Sequence, residues 1–572
     1  MPLLGYPLAI LPREWATQRF DFHFPWTALA VAALLLGVAF QRTNPLQFSS
    51  DINWFAVAPL AVLVSQVVSM LASGPSAGQL DALLRSATGI FLCLAAAQFL
   101  SARWLKPVAV AWALAAAVEA AVMLLQAVLR VEPVGMAGNR NFAACFLAMS
   151  LPIGVACAMS SGSDRRFIGR WVAASYAKLL LAAMMVSESR GAALALLLVA
   201  AGWQLMRWHG ARRWLPAGAA VVVAVGLVLL PPVQVAAKHV WNTDVRPMIW
   251  LGSARSVSDA PLVGHGPGSF ARVYPAHRPP EYFDRPKCAR ATDHAHNEFL
   301  EIAVETGALG VLAFLALLTV TAMSARRAIG HGDATLRPVA MGVTMGWGVL
   351  VLQNLVDINL FMPPNDMLFW LMTGWLMSAS RAGSSDAAAA RAVSAHPVER
   401  LVAGAAGALV LAFGVAQPAC ANWLFREGSV ARTAGDERRA LGCFMRVVQS
   451  EPDRMEAWRQ AGLAAHHLGD LNLAVAAFRR AHELMPDYAD LNGELGSLLA
   501  MKGDYAAAAP LLTRATELFP RDPANFVKLA LVRLSLKEPE AARRAFEEAK
   551  RLDPDHPLVR SMGKNFGPPP GH

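Results

Sequence analysis

Between Pro107 and Arg130 the chain reads VAVAWALAAAVEAAVMLLQAVL, residues 108–129, with Glu119 as its one ionisable group. A helix of that length spans about 30 Å, the thickness of a bilayer's hydrocarbon core. Eleven further apolar runs stand near 26–40, 54–71, 82–100, 142–160, 170–186, 190–206, 214–231, 300–321, 338–356, 364–379 and 400–419. Composition agrees: hydrophobic residues make up 55% and charged residues 16%, against about 25% charged in a soluble domain. The deficit is confined to residues 26–420, while 421–572 has an ordinary charge density. The expected fold is therefore all-α: a polytopic membrane domain over 1–420 with about twelve spanning helices, and a soluble domain over 421–572.

The connections between runs set the orientation. Arg42; Arg103 and Lys106; Arg165, Arg166 and Arg170; Arg207, Arg212 and Arg213; Arg326, Arg327 and Arg337; and Arg381, Arg391 and Arg400 occupy alternate connections. Lys and Arg stay on the cytoplasmic side. The other connections, the N-terminus and the tail after residue 420 are then expected outside. The net charge of +10 reflects this bias, so nucleic acid is not an expected partner. The long connection 232–295 is assigned to the outside although it holds eight Lys/Arg against five Asp/Glu. That surplus fits either an anionic ligand or a solvated loop. Residues 1–25 carry Asp and Glu and only a short apolar stretch, so no cleavable signal peptide is expected.

The tail repeats. Pro418, Pro452, Pro486, Pro520 and Pro554 recur every 34 residues, in step with Ala440, Ala474, Ala508 and Ala542 and with Phe444, Phe478, Leu512 and Phe546. Trp458 and Gly462 fall at further consensus offsets. This is the helix–turn–helix signature of the tetratricopeptide repeat (TPR). Alanines let paired helices approach, the aromatic fills the space between them, and proline ends the second helix. An α-solenoid of TPR helix pairs offers a concave surface to a protein partner, or serves as a rigid spacer.

Six cysteines show no CxxC or metal-type spacing. Cys93, Cys145 and Cys157 lie in apolar runs and are expected to be buried, whereas Cys420 and Cys443 could pair in an oxidising compartment. Four polar clusters stand at expected outer helix ends or in the long connection: Gly138-Asn139-Arg140-Asn141, Ser187-Glu188-Ser189-Arg190-Gly191, the stretch Arg246 to Phe270 with Gly264, Gly266 and Gly268, and His294-Ala295-His296-Asn297-Glu298. Gln353-Asn354 with Asp357 forms a weaker fifth. All five fall on one side of the expected topology, and ionisable groups at membrane depth usually mark function. Each also has a bland reading. Asn139 could simply cap a helix, Arg190 could snorkel to head groups, and the glycine run lacks the Lys-Ser/Thr of a P-loop. His294 and His296 with Glu298 and Glu301 lack an HExxH, so no metal and no cofactor are expected.

Arg246-x-x-x-Trp250, Pro261-Leu-Val-Gly-His-Gly-Pro-Gly-Ser-Phe270 and His296-Asn297-Glu298-Phe299-Leu300 with Glu305-Thr-Gly307 and Gly310 resemble the core of the O-antigen ligase/polymerase superfamily. Ser189-Arg190-Gly191 and Gly138-Asn139-x-Asn141 resemble its upstream motifs, so the likeness spans roughly 138–360. The resemblance implies a GT-C-type membrane glycosyltransferase of the bacterial inner membrane using an undecaprenyl-diphosphate-linked glycan. It implies that Arg190 and Arg246 engage the donor diphosphate, that His296 is the base, and that Asp357 is the late acidic residue. Asn139, Arg140, Asn141, Gly266, Gly268, Arg272 and Asn297 complete the expected substrate-binding set.

The chemistry agrees independently. A lipid-diphosphate sugar has a good leaving group and needs charge stabilisation plus a base for the acceptor hydroxyl. Arginine supplies permanently charged donors and histidine titrates near neutrality. No Asp-x-Asp stands in the candidate site, so a direct, inverting, metal-independent displacement is expected. The acceptor stays open among a lipid, a glycan and a protein hydroxyl, the last making the chain a protein O-oligosaccharyltransferase. A lipid-linked glycan transporter would show internal repeats of the membrane half, and none is visible. A TPR-based membrane scaffold would make Arg190 and His296 dispensable.

Overall fold

The computed structural model describes residues 54–207 apart from 76, 101, 136–138 and 161–165, residues 243–381 apart from 287, 289–291, 331–335 and 362, and residues 417–563. The runs expected near 26–40 and 214–231, and all but the end of 400–419, lie outside the described residues. Within them every regular element is helical.

Packing divides the chain into two units. The first comprises Met1–Val240, Ala260–Gly268 and Ala295–Pro418, and the second comprises Trp241–Asp259, Ser269–His294 and Ala419–His572. The chain begins with α1 (Trp54–Ser73), α2 (Ala77–Phe99), α3 (Ala102–Val128), α4 (Arg140–Met159), α5 (Arg166–Ser187) and α6 (Arg190–Arg207). It passes through α7 (Arg246–Asp259) and α8 (Phe270–His277) of the second unit. It then returns to the first with α9 (Glu298–Gly330), α10 (Arg337–Gln353) and α11 (Pro363–Arg381).

Nine of the expected apolar runs therefore form helices. Six described stretches are long and apolar enough to cross a membrane: Ala56–Ser73, Gly78–Ala97, Trp104–Val128, Arg140–Met159, Phe167–Ser187 and Glu298–Gly330. Arg190–Gln204 is a shorter apolar helix. Helices in lipid associate through small residues that let backbones approach, and α10 does this against α4. A Cβ on Gly346 would lie 2.3 Å from the Met149 carbonyl oxygen, and one on Gly342 2.6 Å from that of Pro152. Gly374 of α11 meets the Cys93 carbonyl of α2 in the same way. Cys93, Cys145 and Cys157 are buried here.

Helix α9 is kinked at Gly307 (φ 62°, ψ −161°), a backbone region open essentially to glycine alone. Segment 261–266 lies against this kink. His265 and Gly266 donate to the carbonyls of Val304 and Glu305 at 3.0 and 2.8 Å, and Ala308 and Leu309 donate back to Pro261 and Leu262 at 2.9 and 3.1 Å.

In the second unit the tail forms α12 (Gln417–Thr433), α13 (Glu437–Ser450), α14 (Met455–His467), α15 (Leu471–Leu484), α16 (Ala489–Met501), α17 (Tyr505–Leu518), α18 (Pro523–Ser535), α19 (Pro539–Leu552) and α20 (Pro557–Met562). The first eight are four helix pairs in register with the 34-residue period. Pro452, Pro486, Pro520 and Pro554 each stand two residues beyond the second helix of a pair. Ala440, Ala474, Ala508 and Ala542 are fully buried, as are Phe444 and Leu512. Phe478 packs so closely on Gly462 that a Cβ there would come within 2.6 Å of the ring.

The turn inside each pair repeats too. Gly435, Gly469 and Gly503 have φ near +82°, and Lys537 takes the fourth equivalent place at φ 63°. The next residue caps the second helix: Asp436, Asp470 and Asp504 accept backbone N–H groups at 3.0–3.1 Å. Glu538 makes no such bond. Cys420 and Cys443 are free thiols.

Candidate functional site

Four of the polar clusters meet in the first unit through ordinary helix-end chemistry. Asn139 has extended backbone and its Oδ1 accepts the Asn141 N–H at 2.8 Å, so it caps α4. Gly138 lies outside the described residues. Arg140, the first residue of α4, pairs with Glu188 at 3.5 Å. Glu188 sits in the turn between α5 and α6 with φ 55°, a left-handed conformation uncommon for a residue with a Cβ. Ser187 Oγ accepts the Ser189 N–H at 3.2 Å and tightens this turn. Arg190 then opens α6 with an exposed side chain. The face of Gly191 lies against the Gln353 amide, 3.7 Å from where a Cβ would stand.

The His-Asn-Glu block enters α9 from the same region. Asn297 is committed at both ends of its amide: Oδ1 accepts the Leu300 N–H at 3.1 Å, and Nδ2 donates to the Leu355 carbonyl at 2.9 Å. Glu298 N–H donates to the Asn354 carbonyl at 2.9 Å. Glu301 accepts the Ala295 N–H at 2.9 Å, which gives that carboxylate a local capping duty. These bonds tie the start of α9 to the end of α10 and hold His296, itself at φ 50°, beside Asp357. His296 Nδ1 lies 3.6 Å from Asp357 Oδ1, and Asp357 is 5% exposed. Nδ1 is sealed from solvent and has no hydrogen-bond partner, whereas the side chain as a whole is 38% exposed. The accessible edge of the ring therefore carries Nε2. Asp357 Oδ1 also accepts the Ile358 N–H at 3.0 Å, which fixes the carboxylate.

Other polar groups at this junction were harder to see in the sequence. Asn359 stands in the connection between the runs 338–356 and 364–379, and Asn365 at the start of the second; Asn365 donates to Asn359 Oδ1 at 3.2 Å and to the Phe142 carbonyl at 3.3 Å. Gln353 Oε1 and Asn359 Nδ2 are buried without partners. Buried amides are nearly always satisfied, whereas these two atoms and His296 Nδ1 are the unpaired polar groups at this junction among the described residues. The adjacent Gln353-Asn354 pair was the visible signal.

Gly266 and Gly268 have packing work. Gly266 (φ 100°) donates its N–H to Glu305 O and to Ser69 Oγ, the latter at 3.1 Å, and a Cβ would strike Gln79. Gly268 presses on Ala82, whose Cβ would be 2.9 Å from an added one.

Arg246 and Arg272 belong to the second unit. Arg246 opens α7, its N–H donating to Asp244 Oδ1 at 2.9 Å. The following Pro247 falls in the first helical turn, where its missing N–H costs nothing. Arg272 is exposed on α8. Helices α7 and α8 pack with Tyr274 across Gly252, and His277 Nε2 bonds Asp259 Oδ2 at 2.6 Å. Burial raises the Tyr274 phenol above its usual range, with Arg278 partly opposing it.

The apolar helices and the four helix pairs define a membrane protein with a tetratricopeptide-repeat tail. Residues 176–315 match the O-antigen ligase family profile, and 425–489 and 499–563 match tetratricopeptide-repeat profiles. The chain thus combines an O-antigen ligase domain with C-terminal TPR repeats. Among curated proteins none matches it. Similar solved structures include MamA (26% identity, 24% of this chain and 85% of that one, TM-score 0.23). YrrB, a TPR protein with an unusual peptide-binding site, is 20% identical over 29% of this chain and 85% of its own, with TM-score 0.25. PilF of Pseudomonas aeruginosa is 20% identical over 26% and 70%, with TM-score 0.24.

Proposed function

We propose that this protein transfers a glycan from undecaprenyl diphosphate to an acceptor hydroxyl at the periplasmic face of a bacterial inner membrane. The carrying observation is the His296–Asp357 pair, 3.6 Å apart, with the opposite ring edge accessible. Nε2 takes the proton of the acceptor hydroxyl, and Asp357 stabilises the imidazolium that forms. The acceptor oxygen attacks the anomeric carbon in one inverting displacement, and the electron pair of the broken bond leaves on the diphosphate.

Arg190 balances that developing charge. It heads α6, and among the described residues it has no acidic partner. A cation at a helix N-terminus is opposed by the macrodipole, and an anion bound there relieves the mismatch. Arg140 at the head of α4 is placed alike. Asn139 and Asn297 shape the site as cap and brace, and Asn141 gives its backbone N–H to the cap. Donor contacts by Arg246, Arg272, Gly266 and Gly268 rest on the superfamily resemblance alone. The acceptor is a lipid, a glycan or a protein, and the periplasmic repeat domain recruits a protein, either that acceptor or an assembly partner.

The test is purified full-length protein with a lipid-diphosphate-linked glycan and the three acceptor classes offered separately. His296→Ala should abolish transfer while expression and thermal stability hold. Turnover near wild type would remove the base assignment.

A further inference from the structure

Glu188 is unexplained by transfer chemistry. It is an acid beside two arginines proposed to hold an anion. It pairs with Arg140 at 3.5 Å, with the two side chains 50% and 77% exposed for Arg140 and Glu188 respectively. Its backbone is in the left-handed region, φ 55°. Arg190, two residues on, opens the next helix. The turn is closed on both sides of Glu188, by Glu188 N–H to the Met185 carbonyl at 3.3 Å and by Ser189 N–H to Ser187 Oγ at 3.2 Å. The strained residue is thus held in place rather than left to relax, and strain kept in this way clusters at ligand clamps and switches.

An ion pair this exposed is weak, because water screens both charges. A carboxylate held at Arg140 is therefore a placeholder that a more highly charged anion displaces. Resting on the transfer reading above, we propose that Glu188 is a built-in competitor for the donor diphosphate, and that it speeds departure of the spent carrier.

The charge balance explains why a competitor is useful. In the donor the diphosphate is esterified at both ends. On transfer the anomeric carbon–oxygen bond breaks, its electron pair stays on the terminal phosphate, and the acceptor proton passes to His296. The product, undecaprenyl diphosphate, carries one more ionisable oxygen than the donor. Arginines that bind the donor bind this product more tightly, so product release limits turnover unless something competes for them. Glu188 returning to Arg140 does so. Glu188 is a positioning residue in this scheme, since it touches Arg140 and not the reacting atoms.

The test uses the full-length protein, Glu188→Gln and Glu188→Gly, with transfer followed against donor concentration and against added undecaprenyl diphosphate. Glutamine removes the charge, and glycine removes it while relieving the left-handed strain. Both variants should show donor KM lowered, and inhibition by undecaprenyl diphosphate strengthened, by about two- to five-fold, the range of an exposed ion pair. The difference from wild type should shrink as salt rises toward about 1 M. If wild type transfers glycan and is inhibited by the product while both variants match it, the competitor role is wrong and the transfer reading stands. If the glycine variant alone changes, the backbone and not the carboxylate is responsible, and the proposal fails. If wild type neither transfers nor is inhibited, both ideas fall together.

Discussion

Replacing Gly307 with alanine tests the joint that seats segment 261–266 on α9. The position has φ 62° and ψ −161°, and a side chain held in that region costs about 1–3 kcal/mol. An added Cβ would stand 2.4 Å from the Leu262 carbonyl carbon and 2.6 Å from the Val263 nitrogen. Those are backbone atoms and cannot rotate aside, so the segment must lift. Lifting threatens the bonds from Ala308 to Pro261 and from Leu309 to Leu262, at 2.9 and 3.1 Å, each with a net value of about 0.5–1.5 kcal/mol. The combined loss is about 2–6 kcal/mol, a large share of the roughly 5–15 kcal/mol that stabilises a folded protein. Gly74 is the control, because it has φ +83° with nothing within 4 Å of an added Cβ. Gly74→Ala bears conformational strain alone, about 1 kcal/mol. Thermal unfolding of both variants in detergent should place Gly307→Ala several degrees below Gly74→Ala, with faster proteolysis across 255–270. Equal melting temperatures would refute the claim that backbone contact at Gly307 seats this segment.

Three further outcomes are expected. Asp357→Asn should lower transfer by about 10²-fold or more, since the imidazolium loses its counter-charge, with the melting temperature nearly unchanged; initial rates check this. Lys537→Gly should stabilise the repeat array by about 1 kcal/mol, because glycine adopts the left-handed turn without the Cβ penalty, and adding Glu538→Asp should contribute a similar amount by restoring the missing cap; thermal melts read both. Gly462→Val should destabilise the array by about 1–3 kcal/mol, since a side chain there meets the Phe478 ring at 2.6 Å, visible as a lowered melting temperature.

Much of this architecture is legible locally. A hydrophobic run such as 108–129 must be helical in lipid, because every backbone polar group has to be satisfied within the segment. The 34-residue recurrence of Pro, Ala and Phe specifies helix pairs, since each repeat buries the same positions against its neighbour. Asn139 and Asn297 were readable as polar residues at helix starts. The capping reading of Asn139 is the one the structure bears out, whereas nothing along the chain announced that the Asn297 amide would brace the Leu355 carbonyl.

Tertiary packing decided what periodicity cannot express. Gly266 and Gly268 look in sequence like a loop shaped for phosphate, and they instead permit a close approach to Gln79 and Ala82 of α2, while Gly264 does the same at the Glu305 backbone. Helices α7 and α8 group with the repeats, a grouping that hydropathy does not encode because those residues are of intermediate polarity. The sequence by itself determined the helices, the repeat and the residue types needed for glycan transfer, since each rests on spacing along one chain. Only the fold decided that His296 meets Asp357 and that Arg140 meets Glu188, because such pairs depend on where separate helices end in space.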